Sequence, residues 1–164
     1  MNDLRGYAVE VEPTDKVRGS SPTREDAVAA LTEADCLDLL RSCDVGRIAF
    51  ELECVIEIFP VNYGVEGEII IFRSDPGTKL TAVRNPATSF EVDCWDRESG
   101  IGWSVVVKGR AEEIAENPGR VAEHLRSVPV HPAAPGDRHH WIGIKPVEIT
   151  GRRFHTAPAS RAGA

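Results

Sequence analysis

Apolar and polar residues alternate along most of this chain and fall into helical spacing only over short stretches. From Thr32 to Cys43, Leu37 and Leu40, with Cys36 and Cys43, recur three to four residues apart, which predicts a helix with one buried face. Thr32 followed three residues later by Asp35 forms a capping-box pattern at its start. Strands are predicted over Val45–Leu52, Glu53–Tyr63, Glu68–Arg73, Thr88–Asp96, Trp103–Ile114 and His140–Arg152. In Thr88–Asp96, Phe90, Val92 and Cys94 alternate with Glu91, Asp93 and Trp95, so the first set should face a core. Gly64 and Gly67 make Tyr63–Glu68 a hairpin candidate, and Pro60 marks the preceding strand as an edge, a bulge or an irregular segment. Short helices are expected over Lys79–Arg84 and from Asn117, as a cap followed by Pro118, to about Ser127. Val128–Asp137 carries three prolines and reads as a loop, and Phe154 onward as a tail. About six strands with hairpin links and no repeating βα unit indicate a mainly β protein, an antiparallel β-barrel with peripheral helices.

Composition narrows the function classes. The 164 residues suit one domain with a sizeable core. With 19 Lys and Arg against 26 Asp and Glu, the formal net charge of −7 argues against non-specific nucleic-acid binding. No stretch reaches the roughly 18 apolar residues of a membrane span. Met1–Thr23 lacks an apolar signal region and reads as a loose leader. The expected organisation is a flexible leader over 1–24, a folded domain over 25–154 and a flexible tail over 155–164. Cys36, Cys43, Cys54 and Cys94 include no C-x-x-C pair, which fits reduced thiols and a cytoplasmic location. The five histidines show no metal-ligand spacing, so no metal is expected.

Candidate chemistry concentrates in Gly67–Val83. The apolar run Ile69–Phe72 predicts a buried strand that delivers Arg73 and Ser74 to a turn at Asp75-Pro76-Gly77. A helical turn carrying Thr78 and Lys79 is expected next. Arg offers a planar fork to phosphate oxygens, Lys a point charge, and hydroxyls and helix-end N–H groups further donors. Asp75 opposes an anion there, because its carboxylate competes for the same donors. Plain connections of this kind are common, so the residues leave both a phosphate site and a simple turn open. The spacing is neither a P-loop nor a G-x-G-x-x-G fingerprint.

Five segments in order carry a resemblance: Val45-Gly46-Arg47-Ile48-Ala49-Phe50; Pro60-Val61-Asn62-Tyr63; Phe72-Arg73-Ser74 with Gly77-Thr78-Lys79-Leu80; Gly102-Trp103-Ser104-Val105-Val106-Val107 with Gly109; and Trp141-Ile142 with Ile149-Thr150-Gly151-Arg152-Arg153. Over roughly residues 32–154 the chain resembles the pyridoxamine 5′-phosphate oxidase-like family of FMN-binding split β-barrels. That resemblance implies a homodimer with FMN in a groove between subunits. It implies that Arg73, Ser74, Thr78 and Lys79, in the segment opened by Phe72, hold the FMN phosphate. Pro60, Val61, Asn62 and Tyr63 would line the isoalloxazine ring, partly through backbone groups. Trp103, Ser104 and Trp141 would close the groove, from the partner chain. The implied function is a flavin-dependent oxidoreductase acting on a small organic substrate, with no identified catalytic acid or base. Two alternatives keep the fold: a deazaflavin-dependent reductase, for which Arg47, Lys108 and Arg110 could meet an acidic tail, and a non-catalytic flavin- or ligand-binding module. Arg152-Arg153 are the only candidates for a basic cluster on a substrate phosphate, a departure from true pyridoxamine phosphate oxidases.

Overall fold

A computed structural model of the chain describes residues 28–74, 87–114, 119–130 and 139–155. In chain order they form β1 (Val28–Ala30), α1 (Glu33–Arg41), β2 (Val45–Leu52), β3 (Val55–Glu66), β4 (Ile69–Ser74), β5 (Ala87–Asp96), β6 (Ile101–Glu113), α2 (Arg120–Arg126) and β7 (His140–His155). All strand pairs are antiparallel, in the order β1-β7-β4-β3-β2-β5-β6. β6 also pairs with β7, which closes six strands into a barrel and leaves β1 as a short seventh strand on the far end of β7. Closure removes most of the free sheet edge. No helix among the described residues is long and apolar enough to cross a membrane.

Strand alternation sorts the side chains. Ile48 and Phe50 from β2, Phe72 from β4, Phe90 from β5 and Val105 and Val107 from β6 fill the interior. Their neighbours in sequence face outward, where Arg47 binds Glu91 and Asp93, Lys108 binds Glu148, and Lys145 binds Glu112. Phe90 lies across Gly46, where a methyl group would run into its ring. One register shift occurs where Lys108 pairs with Glu148 and Gly109 with Pro146. Val147 is the extra residue, which explains its 78% exposure. Gly109 is required there because a Cβ would strike the Lys145 carbonyl oxygen.

α1 covers one end of the barrel. The Thr32 hydroxyl accepts from the Asp35 N–H, and the Asp35 carboxylate accepts from the Thr32 N–H, so the capping box is formed. The Thr32 side-chain bond holds the Asp35 carboxyl below the usual carboxylate range. Cys36 and Leu40 are buried on the inner face, and Cys36 sits where Gly151 of β7 lacks a side chain. At the other end of α1, the Leu40 carbonyl has no helical partner left and accepts from the buried Tyr63 hydroxyl at 2.6 Å. Burial raises the Tyr63 phenol well above its ordinary pKa, so it remains a donor at neutral pH. Replacing Tyr63 with Phe should cost about 1–2 kcal/mol, because a buried carbonyl loses its donor. Urea unfolding curves of the two proteins measure the difference.

Several expectations shift. Glu53 and Cys54 form a tight turn with φ of 50° and 64°, so β3 begins at Val55 and not at Glu53. Neither residue is a usual left-handed turn former, so their residue types carry no turn signal. The next hairpin turns at Gly67, with φ of 60°, and Glu68, and Gly64 lies inside β3 under Val128 and Pro129. The cap of α2 is Gly119 and not Asn117, and the helix covers only Arg120–Arg126. Cys94 follows the buried Phe90 and Val92 but is exposed, because β5 runs past the barrel end. Phe154 is no tail residue. It pairs with Val28 and Gly102 and stacks on Trp95, with ring centroids 5.5 Å apart. The helix expected over Lys79–Arg84, most of the Pro-rich loop and the leader lie outside the described residues.

Candidate functional site

β3 and β4 form only four pairs, Tyr63–Glu66 against Ile69–Phe72, and then part. Past that point β4 follows β7, with Arg73 opposite Trp141 and Ser74 opposite His140. β3 follows β2, with Asn62 opposite Val45 and Pro60 opposite Arg47. The barrel is therefore split between Pro60–Asn62 on one lip and Arg73–Ser74 on the other. Pro60 sits where β3 is paired on one side only, which a residue lacking an N–H tolerates.

Alternation decides which of these side chains reach the outer surface of the split. Pro60, Asn62, Arg73 and Trp141 face outward, and the Arg73 guanidinium lies 5.2 Å from the centre of the Trp141 ring. That contact holds the cation over an aromatic face. Asn62 donates to the Asp44 carbonyl at 3.4 Å. Val61, Tyr63 and Phe72 belong to the core, and Ser74 is 2% exposed, so at these positions the strand offers a ligand mainly backbone groups. Tyr63 itself is 3% exposed, and its hydroxyl is bonded to α1. Thr78 and Lys79 lie outside the described residues.

Trp103 and Ser104 are neighbours on β6 and so face opposite sides. Trp103 packs against the core, whereas Ser104 faces outward. Neither adjoins Arg73. Trp103 pairs with Arg153 and Arg73 with Trp141, at opposite ends of the 16-residue β7. Ser104 instead lines a shallow depression of about 330 Å³ with Val106, Lys108, Thr150, Gly151 and Arg152. Arg152 and Thr150 were not among the expected cofactor residues. Only the β6–β7 register shows that they flank Ser104.

The described chain is thus an antiparallel split barrel with a cation, an aromatic ring and open backbone at the split. Residues 32–153 match the family model described as pyridoxamine 5′-phosphate oxidase, and the chain belongs to that family. It is 33% identical over 143 residues to the uncharacterised protein Rv0080 of Mycobacterium tuberculosis, covering 84% of this chain and 92% of that protein. Among solved structures it resembles the FAD binding protein of Mycobacterium smegmatis, with 35% identity, a TM-score of 0.62, and coverage of 77% of this chain and 98% of that one. The FAD-binding protein of Mesorhizobium loti shares 27% identity and a TM-score of 0.62, over 77% of this chain and 96% of that one.

Proposed function

We propose that this protein binds a flavin nucleotide at the β3–β4 split and acts as a flavin-dependent oxidoreductase on a small organic molecule. The observation that carries the reading is the split itself, with Arg73 held against Trp141 on one lip and Pro60–Asn62 on the other. These residues fit the group. Arg73 can take a phosphate by its fork, Trp141 offers an aromatic surface, and the unpaired side of β3 offers backbone donors and acceptors to a polar ring edge. Flavin supplies the electron transfer, and the chain supplies binding, orientation and exclusion of water. Thr78 and Lys79 complete the phosphate site in this reading.

FMN is the form implied by the sequence resemblance, and FAD is the form bound by the M. smegmatis and M. loti relatives. A deazaflavin tail is less well served: of Arg47, Lys108 and Arg110, the first two are engaged by Glu91 and Asp93 and by Glu148. The Asp93 and Glu91 bonds raise the Arg47 pKa further. The purified protein should be yellow and release FMN or FAD on heating. A colourless protein that takes up neither flavin overturns the reading, and one that takes up only deazaflavin replaces it.

The site is completed, in this proposal, by a second copy of the chain. Supporting it, Val45, Ile56 and Ile58 are 56%, 62% and 60% exposed on one outward patch of β2 and β3 beside Pro60. Apolar surface of this kind marks an interface. Sedimentation equilibrium should give a dimer. A stable monomer that still binds flavin contradicts the shared groove.

A further inference from the structure

Ile71 lies between the core side chains Ile70 and Phe72 and therefore points to the outer face of β4, two residues from Arg73. It is nevertheless fully buried and lies outside the barrel core. Some other part of the chain must cover the sheet there. Its register partners are both glycines, Gly64 on β3 and Gly143 on β7. Ile114 and Ile69 flank Gly143, and Val128, Pro129 and Val130 lie over Gly64. A Cβ at Gly64 would come within 2.6 Å of Val128 Cγ1 and 3.1 Å of the Pro129 carbonyl oxygen. The missing side chain thus lets the segment Arg120–Val130 come down onto the sheet. Ala122 and Val130 are buried in it, and His124 binds Glu66 of β3 at 2.9 Å. Both members of that ion pair are largely exposed, so it contributes little. Burial of Ile71 and Val130 contributes more, and the segment is held by apolar contact.

The segment runs toward the split. His124 meets β3 at Glu66, and Val128–Val130 meets it at Gly64, one outward position nearer to Asn62. The next outward row carries Trp141 and Arg73 on one lip and Asn62 on the other, roughly 7 Å further along at the usual rise of a strand. Beyond that row and Pro60, Ile58 and Ile56 of β3 are exposed. The outer face of β3 is therefore divided. Its Gly64–Glu66 end is covered by the chain itself, its Ile56–Ile58 end is bare, and the stretch from Pro60 to Asn62 lies open between them.

We infer that Val128–Val130 is a wall of the flavin site: it closes the root of the split, and the ring system of the bound flavin packs against it. This rests on the flavin-binding reading above and goes beyond it by assigning the surface that keeps water from one edge of the ring. Arg73 and Asn62, the outward residues beside the root, are polar. A site for a flat organic ring needs apolar surface around a few polar groups, and Val128–Val130 supplies it at that edge. These are positioning residues, which act by shaping the slot. Gly64 acts through them, because its bare backbone is what brings Val128 down to the sheet.

The test titrates the cofactor-free full-length chain with FMN and with FAD, and follows amide hydrogen exchange over Arg120–Val130 with and without each flavin. In the unaltered protein, flavin should slow exchange at Val128 and Val130. Gly64→Val, whose side chain can only push on the segment, should weaken binding of either flavin by roughly 5- to 10-fold, the worth of one partly buried apolar contact. Val128→Ser trims the wall without pushing on it. It should lower affinity in the same direction, and it keeps the test in hand if Gly64→Val does not fold. Glu66→Gln breaks only the exposed ion pair and should change affinity far less. Folded variants at Gly64 and Val128 with unchanged affinity, together with exchange over the segment that flavin does not alter, overturn the inference and leave the flavin site at the split standing. If the unaltered protein binds neither flavin, the reading of the split itself fails, and the wall falls with it.

Discussion

Phe90→Ala should destabilise the protein by about 3–5 kcal/mol, the range for truncating a buried aromatic side chain. Phe90 is fully buried. Its ring meets Tyr63 edge-on, with centroids 4.9 Å apart, and fills the space over Gly46. Truncation therefore leaves a cavity whose floor is a residue with no side chain to move into it. It also removes one wall around Tyr63, whose hydroxyl ties β3 to the end of α1. The reverse change is also unfavourable: Gly46→Ala would drive a methyl group into a ring held on all sides by the core. Guanidinium unfolding of Phe90→Ala should show the loss without a change of far-ultraviolet circular dichroism at low denaturant. A loss below about 1 kcal/mol would mean that the barrel relaxes around this position far more than its close packing allows.

Arg73→Ala should weaken flavin affinity by about 1.5–3 kcal/mol, or roughly 10- to 150-fold, the contribution of hydrogen bonds to a charged group. The substitution removes both the fork for a phosphate and the cation placed over Trp141. Arg73→Lys should recover part of the loss, since the charge returns without the planar geometry. FMN and FAD should suffer alike, because the phosphate next to the ring is common to both. Unchanged affinity in Arg73→Ala would remove the split from the binding site.

The strand runs were legible in the sequence because period-two alternation is a local property. β2 was read at its observed bounds, Val45–Leu52, and the capping box of Thr32 and Asp35 formed as its spacing predicted. Pro60 also carried its meaning locally, since a residue without an N–H marks a place where β3 has a free side. The errors arose where a boundary depends on distant partners. Glu53 and Cys54 adopt a turn their residue types do not advertise, held by the β2–β3 ladder on either side. Phe154 looked like the start of a tail because its partners, Val28, Gly102 and Trp95, come from three other segments of the chain.

The same division runs through the candidate site. Sequence alone determined the antiparallel barrel, the family resemblance and the placing of Arg73 and Ser74 at the end of a buried strand, because each depends on residue type and order along one segment. Tertiary structure decided which side chains share a surface. It turned Val61, Tyr63, Phe72 and Trp103 to the core and Pro60, Asn62, Arg73, Trp141 and Ser104 outward. It also set Arg152 and Thr150 beside Ser104, residues more than forty positions apart. A strand's pattern records that its faces differ, but which residues from other strands join each face is fixed only by register, and register exists only once the barrel has closed.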